Sequence, residues 1–326
     1  MYNLAIIAGP TAVGKSAVAV EVAALIGGEI ISADSAQVYR GMDIGTAKIT
    51  HEEMFAANGE FIPHHLLSFL PPDARFSVAD FRDRVDALIP GIAARGKIPI
   101  LVGGTGLYIE GVIDPYKFSP LAFDAELRQK LMEESKRRGK DYLHRQLAQV
   151  DPAAAAKIHP NDLKRVIRAL EVYSLTGVPI SEAGQRAPGR AESRYHLCYI
   201  GLTAERTYLY ERINQRVDKM MEEGFLEEVK ALLDQGYSPD LPALQSLGYR
   251  QMIGYLRGEY DLETAVNLIK RDTRRFAKRQ LTWFKRDPRI IWFNVQHFPD
   301  KSALAAEIAQ VISRSIANNV ELGISN

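Results

Sequence analysis

Gly9-Pro10-Thr11-Ala12-Val13-Gly14-Lys15-Ser16 stands between two apolar stretches of different period. Residues 4–8 form a short uninterrupted apolar run, the signature of a buried strand. Residues 16–25 space their apolar side chains as a helix does, with Val18, Val22 and Leu25 placed to share a face. Two glycines, a lysine and a hydroxyl residue at this spacing, between strand and helix, suit a phosphate group. The glycines let backbone N–H groups turn inward around phosphate oxygens. Lys15 neutralises their charge, Ser16 can ligate Mg²⁺, and the helix directs its positive end at the anion. A diphosphate or triphosphate ligand is implied; the motif does not say which compound carries it.

Working outward, residues 30–33 and 98–102 are further short apolar runs, ending at Asp34 and at Gly103-Gly104. Ser77 opens a helical stretch, and Asp80 three residues on gives the spacing of a capping box. Strand and helix in alternation predict an α/β fold, a P-loop NTPase-like parallel sheet with helices on both faces. Residues 123–177 carry no strand signal, only helical patterns, including 124–138 and 162–175. Residues 184–191 read as a loop. Strand character returns at 195–202, followed by helices at 204–222, 225–233 and 262–285, a strand at 290–293 and a helix at 301–316. The expected organisation is a catalytic core of residues 1–114 and 193–326, interrupted by a helical insertion domain at 115–192.

The 326 residues are 46% hydrophobic and 25% charged, which excludes a disordered, collagen-like or disulfide-scaffold chain. A net charge of +1 argues, as an average, against a nucleic-acid binder. One cysteine, Cys198, forms no internal disulfide and reads as core. No basic leader and no long apolar run is present, so the expectation is a cytoplasmic chain with no membrane partner. No apolar oligomer stripe is evident either, and a monomer is expected. Adjacent His64 and His65 would point to opposite faces of a strand, which suits a structural role better than a shared metal.

Asp34 follows the second strand, with Ser35, Gln37, Tyr39, Asp43 and Lys48 just beyond. In an open parallel sheet, ligands bind beyond the carboxyl ends of the strands. Asp34 is therefore placed near the phosphate compound, as a Mg²⁺ ligand or a general base; a helix N-cap is the plain alternative.

Taken together, residues 9–16, the run Asp34-Ser35-Ala36-Gln37-Val38-Tyr39-Arg40-Gly41-Met42-Asp43-Ile44-Gly45-Thr46-Ala47-Lys48, Pro63-His64-His65-Leu66-Leu67, Leu101-Val102-Gly103-Gly104-Thr105-Gly106-Leu107-Tyr108, Gly248-Tyr249-Arg250-Gln251 and Lys278-Arg279-Gln280-Leu281-Thr282-Trp283 closely resemble the bacterial tRNA dimethylallyltransferase family, in order and over nearly the whole chain. The resemblance implies transfer of a dimethylallyl group from dimethylallyl diphosphate to N6 of adenosine 37, in tRNAs reading codons that begin with U. It implies that the phosphate loop (Gly9, Pro10, Thr11, Ala12, Val13, Gly14, Lys15, Ser16) holds the donor's diphosphate, with Mg²⁺ at Ser16. Asp34 matches the general base, Thr105 the contact to the target nucleotide, and Arg216 a second pyrophosphate contact. Contacts to the tRNA anticodon stem-loop are implied for Asp34, Ser35, Ala36 and Gln37, for Lys164, Arg165, Val166, Ile167 and Arg168, for Gln245, Ser246, Leu247, Gly248, Tyr249 and Arg250, and for Lys278, Arg279, Gln280, Leu281, Thr282, Trp283, Phe284 and Lys285, with Arg128 a further candidate. Two positions depart from the family pattern. Ser68 stands where an acid often follows the His-His-Leu-Leu segment, and Ala36 replaces a bulkier residue.

The target base is stacked in its loop and must leave the stack to be modified. The helical insertion could supply one wall of the channel this needs. One local count favours RNA: residues 270–289 hold nine basic residues against Asp272 and Asp287, a local excess of seven. Basic groups neutralise phosphates and aromatics stack on unpaired bases, although Trp283 and Phe284 read better as core. An adenylate isopentenyltransferase acting on free AMP, ADP or ATP would share the phosphate loop and Asp34 but would not need the basic helix. A P-loop small-metabolite kinase and an NTP-dependent RNA-binding switch fit the Asp34 segment less well.

Overall fold

A computed structural model describes residues 1–114, 124–183 and 193–321, apart from the side chains of 183 and 319–321. The predicted loop at 184–191 lies outside them. The chain divides into two compact units, Met1–Ile113 with Arg194–Asn326, and Asp114–Ser193.

The larger unit is built on six parallel strands, β1 (Asn3–Ala8), β2 (Gly28–Ser32), β3 (His64–His65), β4 (Ile98–Gly103), β5 (His196–Thr203) and β6 (Ile291–Asn294), in the order β3-β2-β4-β1-β5-β6. Successive side chains of a strand point to opposite faces, so β1 serves two cores. Ala5 and Ile7 face α1 (Lys15–Ile26) and the C-terminal helix, while Leu4, Ile6 and Ala8 face α2 (Val78–Ala94) and α3 (Gly106–Ile113). The predicted capping box is present at α2: Asp80 N–H donates to the Ser77 hydroxyl at 3.3 Å and Ser77 N–H to the Asp80 carboxylate at 2.8 Å. In α1 the expected single apolar face is wrong. Val18 to Ala23 are all buried, because the helix lies between the sheet and the C-terminal helix, and Leu25 is exposed.

The smaller unit holds α4 (Ala125–Arg138), α5 (Lys140–Val150), α6 (Pro152–Ala155), α7 (Leu163–Thr176) and α8 (Ile180–Ala183) around its own core of Leu131, Leu143, Leu147, Val166, Ile167 and Leu170. Asp124 and Asp162 cap α4 and α7 by accepting backbone N–H groups. Glu171 is fully buried in this unit, with Arg128 Nε and Arg168 Nη1 donating to its carboxylate at 2.8 and 2.7 Å.

The rest of the larger unit is α9 (Arg206–Glu222), α10 (Phe225–Asp234), α11 (Tyr249–Leu256), α12 (Leu262–Phe284) and α13 (Lys301–Glu321). Helices α10 to α12 form a third core with Val38, Tyr39 and Met42, which fastens the segment after β2 to the C-terminal half. His65 Nε2 lies 2.7 Å from the buried Glu29 carboxylate, to which Arg95 also donates at 2.8 and 2.6 Å. His65 thus joins a buried ion-pair cluster, while His64 Nδ1 lies 2.8 Å from Ile62 O. Cys198 is buried in β5, where burial pushes its thiol up to about 11. No described helix is long and apolar enough to cross a membrane.

Candidate functional site

The chain leaves β1 and enters α1 through the phosphate loop. Gly14 caps α1 in the left-handed region with φ 100°, no side chain caps the helix, and its first turn carries no acid. The first N–H groups of α1 and the positive end of its dipole therefore face the loop uncompensated. Ala12 is also left-handed, at φ 65°. Side chains from α9 brace this strained turn: Arg212 Nε donates to Ala12 O at 2.9 Å and Arg216 Nη1 to Thr11 Oγ1 at 3.2 Å. Lys15 Nζ donates to Pro10 O at 2.8 Å. Burial lowers the Lys15 pKa to about 7, helped by Arg216 and opposed by Asp34. Burial also lowers Arg216, with Asp34 again pulling the other way. Three cations and an uncapped helix end make a site for a compact polyanion.

Asp34 faces these cations from the end of β2. Its Oδ1 accepts Ala36 N–H at 2.9 Å, so it caps a turn as well. Thr105 meets it there: Thr105 N–H donates to Ala33 O at 3.2 Å, and Ser35 N–H to Thr105 Oγ1 at 3.2 Å. Lys15, Asp34, Thr105 and Arg216, named from the sequence, are thus assembled at the ends of β1, β2 and β4. Ser16 is exposed in the first turn of α1.

The segment after Asp34 is held by several residues named from the sequence and by one, Glu228, that sequence reasoning missed. The Glu228 carboxylate accepts the N–H groups of Asp43, Ile44 and Gly45 at 2.8, 2.7 and 3.1 Å, and the Tyr249 hydroxyl at 2.6 Å. Gln37 Nε2 donates to Thr46 O and Ala47 O at 3.3 Å, and Arg216 Nη2 reaches the same Ala47 O at 3.3 Å. Lys48 Nζ donates to Tyr39 O, Asp43 Oδ1 and Ser68 Oγ at 2.6, 2.5 and 2.7 Å. Ser68, one of the two departures from the family pattern, therefore accepts a hydrogen bond from the lysine that an acid would pair with. Only the 185-residue separation between Glu228 and Asp43 hid that contact; no local spacing announces it.

Several expected tRNA contacts are corrected by burial. Val166 and Ile167 are core residues of the smaller unit, whereas Arg128 and Arg168 pair with Glu171 and stay half-buried. Gly248 and Tyr249 are buried beneath α10, where Tyr249 packs edge-on against Phe225 at 5.1 Å. Phe284 is core as expected of an aromatic, so it is no RNA contact; Trp283, expected to be core, is 37% exposed with its ring over Gly106. Gln280 is buried, and Leu247 and Leu281 pack against apolar clusters. Gln245 Nε2 donates to Pro239 O at 2.9 Å. Lys164, Arg165, Gln245, Arg250, Lys278, Arg279, Thr282 and Lys285 are exposed, and Ser246 is half-buried.

The basic run along α12 divides in two. Lys270 pairs with Asp218, Asp272 takes Arg250, Arg271 and Arg275, and Arg274 donates to Asn214. Lys278, Arg279 and Lys285 lie open on the last turns, beside Trp283 and Phe276.

A family model described as IPP transferase matches residues 37–287, and one described as Isopentenyl transferase matches residues 2–68. The chain is 53% identical to a tRNA dimethylallyltransferase of Symbiobacterium thermophilum over 95% of this chain and 94% of that protein. It is 53% identical to one of Carboxydothermus hydrogenoformans over 97% and 98%. Among solved structures, the full-length tRNA isopentenylpyrophosphate transferase of Bacillus halodurans is similar at TM-score 0.74 and 45% identity, covering 100% of both chains. A eukaryotic dimethylallyltransferase acting on tRNA is similar at TM-score 0.78 and 28% identity, covering 98% of this chain and 80% of that one. With the family pattern spanning most of its length and relatives half identical from end to end, the chain belongs to the IPP transferase family.

Proposed function

We propose that this chain transfers the dimethylallyl group of dimethylallyl diphosphate to N6 of adenosine 37 in tRNAs reading codons that begin with U, releasing pyrophosphate. The observation that carries this reading is Lys15 and Arg216 bonded to the phosphate loop at Pro10 and Thr11, with Asp34 capping the turn next to the Ser35–Thr105 contact. The donor's diphosphate sits against the uncapped end of α1, with Lys15 and Arg216 on its oxygens. The allylic C–O bond breaks toward these cations, which take up the charge of the departing pyrophosphate; one such donor is worth about 10²–10³ in rate. The adenine N6 attacks the same carbon from the side of Asp34, and Asp34 takes the N6 proton. An amine conjugated to a purine is a weak nucleophile, so alignment carries much of the rate. Thr105 is placed to hold the base against Asp34, the ring having left its stack.

Mg²⁺ fits the same arrangement. The exposed Ser16 hydroxyl would be one oxygen ligand, and Mg²⁺ commonly takes its other ligands from substrate phosphates and water. When bound it would add positive charge beside the diphosphate. The tRNA phosphates are read by Lys278, Arg279 and Lys285, with Lys164, Arg165 and Arg250 as further exposed contacts. The working form is read as a cytoplasmic monomer.

The test is a transfer assay with labelled dimethylallyl diphosphate, Mg²⁺ and a tRNA whose anticodon loop carries A36-A37-A38. Label should enter that tRNA, and Asp34→Ala should abolish transfer while tRNA affinity stays within several-fold. Full turnover by Asp34→Ala would remove Asp34 as the base. Labelling of free AMP but not tRNA would favour an adenylate acceptor, a reading supported only by the Isopentenyl transferase match at residues 2–68.

A further inference from the structure

We propose that Gln280 is a positioning residue of the donor site and not a tRNA contact; this rests on reading residues 9–16 as the cradle of the donor's diphosphate. Gln280 lies on α12 among exposed basic residues, yet it is itself 7% exposed. Its Oε1 accepts the N–H of Thr11 at 2.9 Å and its Nε2 donates to Gly104 O at 2.9 Å. A Cβ on Gly104 would stand 2.3 Å from Nε2, so the absence of a side chain there makes room for the carboxamide. The amide thus fills the crevice between the end of β1 and the end of β4.

A phosphate loop must hold its N–H groups converged before any anion arrives, and an N–H turned elsewhere needs its own acceptor. Thr11 is such a case: Gln280 accepts its N–H while Arg216 donates to its hydroxyl oxygen. A carboxamide offers one acceptor and one donor in a single plane, which is what Thr11 and Gly104 require. Gly104 also precedes Thr105, so the donor loop and the residue beside the target base are referenced to the same side chain. The helix that presents Lys278 and Arg279 to RNA thereby sets the shape of the diphosphate cradle.

The experiment compares Gln280→Ala, Gln280→Glu and Gly104→Ala with the full-length wild type. It measures the KM for dimethylallyl diphosphate at saturating tRNA, calorimetric binding of inorganic pyrophosphate with Mg²⁺, and tRNA binding. Gln280→Ala and Gly104→Ala should each raise the donor KM and the pyrophosphate Kd about 10- to 100-fold, the range for a buried hydrogen-bonding group left without its partner, with tRNA affinity within about threefold. Gln280→Glu should close its gap in donor affinity to the wild type, compared at each pH, as pH is lowered, because its protonated carboxyl again offers both a donor and an acceptor. Should Gln280→Ala fail to fold, this pH-dependent recovery still carries the test. Weakened tRNA binding with unchanged pyrophosphate binding would overturn the inference, as would wild-type behaviour of Gln280→Ala and Gly104→Ala. Failure of the wild type to transfer at all would instead strike the functional reading on which it rests.

Discussion

Lys15 makes the donor site sensitive to pH. With its pKa lowered to about 7, roughly half of the molecules carry a neutral amine at that pH when no ligand is bound. A bound diphosphate favours the ammonium and raises its pKa, so binding takes up a proton above pH 7 and weakens as pH climbs, by up to about tenfold per unit. Titration of donor affinity from pH 6 to 9 should show that loss. Lys15→Arg, charged throughout, should lack it; parallel slopes in the two proteins would remove Lys15 as the source. At this scale Lys15 and Asp34 were legible from type and position, and Thr105 and Arg216 from the family resemblance; the four lie at the same end of the sheet. The motifs misled where burial decides. Tyr249 and Gln280 sit within motif segments beside exposed basic residues, but their side chains turn inward, and a motif read as a string does not distinguish the two sides of a helix turn.

Among elements, α7 shows most clearly how a charge can be structural. Burial alone would raise the pKa of Glu171, but hydrogen bonds from Arg128, the Asp124 N–H and Arg168 outweigh it and hold the carboxyl below its ordinary value of 4.5. Its contribution to stability is therefore present above that value and is lost as pH falls through the folded pKa. Arg128→Ala removes two of the four hydrogen bonds to a buried carboxylate and should destabilise the smaller unit by about 3 kcal/mol, read by urea unfolding. Lys278→Ala, at an exposed position of α12, should leave the urea midpoint unchanged and lower tRNA affinity. An Arg128→Ala protein with wild-type stability and lost tRNA binding would return Arg128 to the RNA-contacting set. The cap of α2 was legible because a cap is local. Helix α11 was not, because its eight residues, Tyr249–Leu256, are held by packing against α10 and α12 and not by their own pattern.

Over the whole molecule, near-neutral net charge conceals a confined positive field. Acids on α9 and α12 neutralise the first half of the basic run, leaving Lys278, Arg279 and Lys285 as its outward part. Binding of tRNA should therefore weaken with salt, and each of these residues changed to Ala should lower the slope of log K against log salt by about 0.7–0.9. An unchanged slope would place the RNA elsewhere. The alternation of strand and helix was readable because it rests on local period, whereas strand order, and with it the placing of β1 between β4 and β5, depends on pairings between distant segments. That distance has a consequence for how the protein is made. The phosphate loop is synthesised well before its braces at Arg212, Arg216 and Gln280, which are 200, 205 and 269 residues away from the loop atoms they hold. A nascent chain can pair β1 with β4 long before it can shape the cradle. Competence to bind the donor should therefore appear late in translation, after α12 has left the ribosome, so that incomplete chains do not sequester the prenyl diphosphate.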